Sequence, residues 1–312
     1  MLCALAIGVS ACAAEVRCAS AESMAGLMEA WTRGFNATHP ATPAGVTVRE
    51  KFAAAAFDAL LRGEVEVVPF SRELFPSERT RYAEKFGGTP LLVPIATGSR
   101  DTKGGTHAIA IFVNEKNPLT KISLAQLREA FTRDGRITTW GQLGLGGQWA
   151  DRKISLHGML RRRTTGDPPG IVNFLEQRLL AGRTWREAVV EHADVTNGPQ
   201  GLELIVRAVA ADPAALGYSG FAYAQPGTKT LAVAETEGGE FFAGASEEVA
   251  RREYPLARTI YLCVGRAPDE ATREFLRYVL GAEGQQAISA DTEKFFPLPA
   301  PAVAEALRGL GR

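Results

Sequence analysis

Two patterns alternate along the chain. Short apolar runs read as buried strands, and stretches with apolar residues every third or fourth position read as amphipathic helices. The run "EVRCAS" leads into a helix that places Met24, Leu27, Met28, Trp31 and Phe35 on one face. Next come the strand "GVTVRE", a helix around Ala54 to Leu61 and the strand "VEVVPF". A further helix starts near Ser77 and stops at Gly87-Gly88. The strand "TPLLVPIAT" is followed by a Gly/Ser/Thr-rich loop from Gly98 to Thr106 and the strand "HAIAIFVN". Ser123 and Gln126 form a capping box ahead of Leu127 and Phe131. After the strand "ISLHGML", Asp167-Pro168-Pro169 reads as a helix start, with a carboxylate cap and proline at the first helical position. That helix carries Ile171, Phe174, Leu175 and Leu179. Another spans Gln200 to Ala210, before the strand "ALGYSG". Gly227 to Glu248 is hairpin-like, "ARTIYLCV" is a buried strand, and two or three helices close the chain. Strands and helices in alternation predict an α/β architecture.

Composition sets the scale. A chain of 312 residues, 46% hydrophobic and 22% charged, predicts two domains with full-size cores. Lysine plus arginine and aspartate plus glutamate number 35 each, so the balance points to neither nucleic acid nor an anionic membrane as partner. The cluster Arg161-Arg162-Arg163 either attracts phosphate or forms a solvated face. Residues 1–14 read as a secretory signal, an apolar run from Leu2 to Val9 that ends in Ala11-Cys12-Ala13. Val9-Ser10-Ala11-Cys12 reads equally as a lipoprotein box, with the lipid on Cys12. Nothing later approaches the roughly 18 consecutive apolar residues of a spanning helix. Cys18 and Cys263 are either a disulfide or two buried thiols. His39, His107, His157 and His192 are scattered and no CxxC occurs, so neither a metal nor a cofactor is expected. Nucleophile-elbow, zinc-protease, P-loop and dinucleotide motifs are absent from the sequence, which points to binding rather than catalysis.

Several blocks, in order, resemble the phosphate-binding proteins of ABC importers: "SMAGLMEAWTRGFNATHP", "ALLRGEVEVVPFSRELFPSE", "HAIAIFVNEKNPLTKISLAQLREAFTRDGRITTWGQLG", "NFLEQRLL", "PAALGYSGFAYA", "YPLARTIYLCV" and "FLRYVLGAEGQQAI". The most specific stretch runs from Asn117-Pro118 to Trp140. The resemblance implies the type II periplasmic-binding-protein fold, two α/β lobes joined by two crossing strands with ligand in the cleft between them. It places the crossings near Ile109 to Val113 and near Thr259 to Val264. Lobe I is then 15–108 plus 262–312, and lobe II is 109–261. It also implies a monomer in the periplasm, or tethered outside the cytoplasm, that hands phosphate or another small anion to an ABC permease.

An oxyanion needs many oriented donors, which helix N-termini and Ser/Thr hydroxyls supply. The resemblance implies three such turns plus an arginine and a carboxylate. Ser20, Ala21, Glu22, Ser23 and Met24 stand at the first, where Ser23 either binds ligand or caps its helix. At the second, Phe52-Ala53-Ala54-Ala55 replaces the hydroxyls, and alanine donates no side-chain hydrogen bond. At the third, counting back from Phe174 puts the hydroxyl positions on Pro168, Pro169 and Gly170, while a short insertion would let Thr164, Thr165 and Gly166 serve, with Arg161, Arg162 or Arg163 as the clamp. Asp167 there either accepts a ligand proton or caps its helix. Ser71 and Arg72 lie at a strand end, where α/β clefts put ligand contacts, although Arg72 has Glu78 as a surface alternative. Asn197 precedes another helix. The departures leave a second reading open, a repurposed binding module with a different ligand or none, acting as a sensor or interaction protein.

Overall fold

A computed structural model describes residues 15–162, 164, 166–265 and 268–311, with the Glu22 side chain left out. The signal segment 1–14 with Cys12, together with Arg163 and Thr165, lies outside the described residues.

The strands are β1 (Val16–Ala21), β2 (Ala44–Glu50), β3 (Val67–Phe70), β4 (Leu91–Thr97), β5 (Ile109–Asn114), β6 (Lys121–Ser123), β7 (Ser155–Met159), β8 (Val190–His192), β9 (Ala215–Gly220), β10 (Thr228–Thr230), β11 (Ala232–Ala234), β12 (Thr259–Val264) and β13 (Phe296–Pro297). The helices are α1 (Ala25–Thr38), α2 (Ala53–Arg62), α3 (Pro76–Phe86), α4 (Leu124–Phe131), α5 (Gly170–Leu175), α6 (Gly201–Ala211), α7 (Ser246–Ala250), α8 (Glu270–Leu280), α9 (Ala282–Ala290) and α10 (Ala300–Leu310).

Two sheets organise them. The first has strand order β13-β4-β12-β3-β1-β2, and the second β10-β5-β9-β7-β8. Strands β1, β2 and β3 are parallel, and β12 runs antiparallel between β3 and β4. Both faces of this sheet are covered, which is why its central strands read as unbroken apolar runs. Trp31, Phe35, Phe275 and Leu280 pack on one face, and Phe57, Leu60, Phe70 and Tyr82 on the other. Cys18 belongs to the first of these clusters and Cys263 to the second, and both are free, buried thiols. Burial raises the pKa of each. Around the second sheet a single core gathers Phe112, Phe131, Trp140, Leu175, Trp185 and Tyr218.

The predicted capping box closes as expected. Gln126 N–H donates to Ser123 Oγ at 3.1 Å, and Ser123 N–H to Gln126 Oε1 at 3.0 Å. Two expectations need correction. The segment from Gly227 to Glu248 folds back on itself at the antiparallel bridge of Val233 with Phe242, as a hairpin would, but its two strands pair elsewhere, β10 antiparallel with β5 and β11 parallel with β6. Asp167 does not cap α5 either. That helix begins at Gly170 with Pro169 in the cap position and no side-chain cap bond.

The crossings also sit differently. The chain passes between the sheets in 98–108 and again in 256–258, and the two passages run side by side. Gly98 N–H donates to Arg258 O at 2.8 Å, and Ile109 N–H to Leu256 O at 3.0 Å. Ile109 to Val113 and Thr259 to Val264 are instead the strands these passages lead into. Thr259, Ile260 and Tyr261 pair with β4, so they belong to the first sheet rather than to lobe II.

Candidate functional site

Parallel strands bring their C-terminal ends, and the loops that follow them, to one edge of a sheet. In the first sheet that edge holds Ala21, Phe70 and Thr97, with Thr259 at the start of the antiparallel β12. In the second it holds Met159, His192 and Gly220, with Ile109 at the start of β5. The two passages join these edges, so the loops after β1, β3, β7, β8 and β9 share one region.

The segment after β3 supplies most of its chemistry. Arg72 gives Glu78 two bonds, Nη2 to Oε1 at 2.6 Å and Nη1 to Oε2 at 2.8 Å, and its guanidinium lies 3.6 Å from the Phe75 ring centroid. The Glu78 pairing foreseen on the surface is therefore made, but buried. Arg258, only 4% exposed, donates from Nη2 to Glu73 Oε2 at 2.8 Å and lies over Phe174. A β-carbon on Gly170 would stand 3.7 Å from Arg72 Cβ and Cδ and 3.9 Å from Arg258 Nη2, so the start of α5 rests against both arginines.

Five side chains tie the segment after β3 to the α5 region directly. Asn173, 1% exposed, donates from Nδ2 to Glu73 O at 2.9 Å and Leu74 O at 3.3 Å. Gln177 Nε2 reaches Leu74 O at 3.3 Å, Arg79 donates to Gln177 Oε1 at 2.7 Å, and Ser77 Oγ donates to Asp167 Oδ1 at 2.8 Å. Asp167 thus bonds across the cleft instead of capping its own helix. The loop between β4 and β5 spans it as well. Thr106 Oγ1 donates to Ser71 O, and Gly104 N–H to the Tyr223 hydroxyl at 3.1 Å.

Charge in this region is compensated. Burial, then the neighbouring Arg258 charge, pushes the His107 pKa down to about 4, so this imidazole stays neutral near pH 7. Burial, then Asp291, raises the Glu293 pKa. Two buried polar atoms on neighbouring stretches of β4 and the second passage, Arg258 Nε and Thr97 Oγ1, have no hydrogen-bond partner among the described residues. Buried polar groups are almost always satisfied, so each calls for an explanation.

The remaining sequence-derived candidates scatter. Ser20 is buried at the end of β1, and Ser23 and Met24 form the 3-10 turn Glu22–Met24 that opens α1. Ser71 adjoins Arg72. Thr164, Gly166 and Asn197 are exposed, the last with φ of 56°. Arg162 is drawn elsewhere. It bonds Glu176 Oε1 at 2.8 Å and lines an outer depression with Arg133, Arg161, Arg183 and Trp185, so it is not brought to Arg72. Phe52 occupies the cap position of α2 without a side-chain cap bond and is 55% exposed.

Sequence reasoning missed Glu73, Arg258 and Asn173. Signals existed: a charge flush against the strand in "YPLARTIYL", an acid beside Arg72, and a lone amide in a helix otherwise built of buried apolar residues.

Comparison with known proteins agrees with this architecture. The chain is 28% identical over 300 residues, 93% of its length, to the phosphate-binding protein PstS of Pseudomonas aeruginosa, covering 85% of that protein. It is 24% identical over 265 residues to protein SphX of Synechococcus elongatus, covering 82% of this chain and 70% of that one. Among solved structures, PstS from Borrelia burgdorferi superposes with a TM-score of 0.57 at 15% identity, over 92% of this chain and all (100%) of that one. An ABC-type phosphate transport receptor from Vibrio cholerae gives 0.54 at 19% identity, over 91% and 100%. These superpositions establish the shared two-lobe α/β fold. The model of the PBP superfamily domain matches residues 8–283, most of the chain, and the protein belongs to that superfamily.

Proposed function

We propose that the chain is the extracytoplasmic solute-binding protein of an ABC importer, taking phosphate or a related small oxyanion between its lobes. The carrying observation is the convergence of two buried arginines, Arg72 and Arg258, and the start of α5 where the two sheet edges meet. Lobe I in this reading is 15–108 with 259–312, and lobe II is 109–258, the second boundary moved to where β12 begins. The paired passages form the hinge. In the open form Ser20, Ser23 and the backbone N–H groups opening α1 would face ligand from lobe I, with Ser71 and Arg72 beside them. Thr164, Gly166 and Asn197 would approach from lobe II. The names of the relatives support an anion ligand and a permease partner. No helix among the described residues is long and apolar enough to cross a membrane, which suits a binding subunit that works as a monomer beside its transporter, free or lipid-tethered.

A second reading draws on the same cleft. Phe52-Ala53-Ala54-Ala55 supplies no hydroxyl, and each arginine already has a carboxylate. A repurposed module would keep the fold and change or lose the ligand. Thermal melting with phosphate, sulfate, molybdate and small organic acids separates the two. A binder gains about 4 kcal/mol at a thousandfold excess over Kd. Silence towards every anion would favour the repurposed module.

A further inference from the structure

The two buried ion pairs beside α5 are built differently. Glu78 holds Arg72 with both oxygens, and its Oε2 also accepts the Phe75 N–H at 2.8 Å, so this carboxylate doubles as part of the α3 start. Three donors fix it. Glu73 accepts a single bond from Arg258, Nη2 to Oε2 at 2.8 Å, and its carboxylate makes no other hydrogen bond among the described residues; the same Nη2 reaches Gly170 O at 3.5 Å. Arg258, for its part, leaves Nε without a partner although it is almost wholly buried.

A guanidinium is a planar fork that matches two oxygens of one acceptor at once. Arg258 therefore carries more donor capacity than Glu73 uses, and it does so where the sheet edges meet and α5 begins. Two buried guanidiniums favour negative charge in that place. Of the two carboxylates paired with these arginines, Glu73 is the one held by a single bond.

We infer that Glu73 holds the place of the ligand on Arg258, as an internal carboxylate that a bidentate oxyanion must displace. The inference rests on the anion-binding reading and deepens it. Glu73 then determines specificity: while it is ionised and in place, the subsite is already neutral, and an arriving dianion meets a like charge as well as Arg258. Removing the charge while keeping the shape would free the fork.

Titration calorimetry of the full chain with inorganic phosphate and with sulfate tests this on wild type, Glu73→Gln and Glu73→Gln combined with Arg258→Met. Circular dichroism and melting confirm folding. Glu73→Gln should tighten binding at least tenfold, and Arg258→Met should cancel that gain. Should Glu73→Gln not fold, Glu73→Asp, which withdraws the carboxylate by one methylene, should give a smaller gain of the same sign. Binding by wild type with no gain, or a loss, in the Glu73 variants overturns the inference and leaves the anion reading standing. Binding by Glu73→Gln alone upholds the inference and removes phosphate uptake from the native chain. Silence in every variant overturns both.

Discussion

Replacing Asn173 by alanine tests whether the contacts across the cleft hold the lobes together. The amide is buried and makes three hydrogen bonds: Nδ2 to Glu73 O and Leu74 O, and Oδ1 accepting from Gln177 Nε2 at 3.0 Å. A neutral hydrogen bond contributes about 1 kcal/mol net, and a buried group left unpaired costs about 1–3 kcal/mol. Here the stranded carbonyls are not orphaned. Glu73 O keeps Arg72 Nη1 at 3.1 Å, and Leu74 O keeps Gln177 Nε2. The loss should therefore fall near the sum of the three bonds, about 2–3 kcal/mol, without a further orphan penalty. Asn173→Asp should cost more, because a carboxylate would face two carbonyl oxygens. Urea denaturation measures the total, and native-state hydrogen exchange locates it. Exchange should rise in residues 71–79 and 170–180 and stay unchanged in β1 and β9. Small-angle scattering should show a larger radius as the lobes part. A loss below about 0.5 kcal/mol with unchanged exchange at 71–79 would refute the argument, since the amide would then be a passive filler.

Three further outcomes are expected. His107 has a folded pKa near 4, below the ordinary 6.5, so between those values the unfolded chain binds a proton that the folded chain refuses. Stability from this group is complete above pH 6.5 and declines as pH falls to 4, by about 3 kcal/mol in total. His107→Gln should flatten that part of the profile in urea melts compared with wild type, and parallel profiles would contradict it. Ser123→Ala removes the Oγ that accepts the Gln126 N–H at the start of α4, leaving the backbone bond to Gln126 Oε1, and should cost about 1 kcal/mol by the same assay, with Ser123→Asp recovering most of it. Phe52→Ser places a capping hydroxyl at the start of α2 and should stabilise the protein by about 0.5–1 kcal/mol, since the ring it removes is half exposed. Under the anion reading it should also tighten phosphate binding by about tenfold, about 1.4 kcal/mol.

What was legible in the sequence and what was not divide along a physical line. Strands such as Leu91–Thr97 and Ile109–Asn114 could be read because both faces are covered and apolar residues follow one another without a break. The cap at Ser123 could be read because both of its partners lie within three residues. Thr228–Thr230 and Ala232–Ala234 could not. Each is three residues long, and each takes its direction from a different neighbour, β5 for one and β6 for the other, so nothing in their own pattern separates them from a hairpin. Asp167 misled for a related reason. Asp-Pro-Pro carries the composition of a helix start, but the two prolines push the first helical residue to Gly170, and the freed carboxylate finds Ser77 instead.

The cleft follows the same logic. That Arg72 stands at a strand end was visible from "PFSREL", and so was the option of Glu78, six residues on. Arg258 and Glu73 are 185 residues apart, and their contact exists only because the second passage returns beside the first. The function of a charged side chain in such a region depends on what neutralises it, and here both neutralising groups belong to the protein. A cleft with free arginines would be an anion trap on inspection. With Glu78 chelating one and Glu73 bound to the other by a single hydrogen bond, under the proposed anion reading its affinity would depend on how easily the second carboxylate yields. That is a difference between two neighbouring ion pairs, Arg72 with Glu78 and Arg258 with Glu73. Composition and spacing do not carry it; the hydrogen-bond count at each carboxylate does.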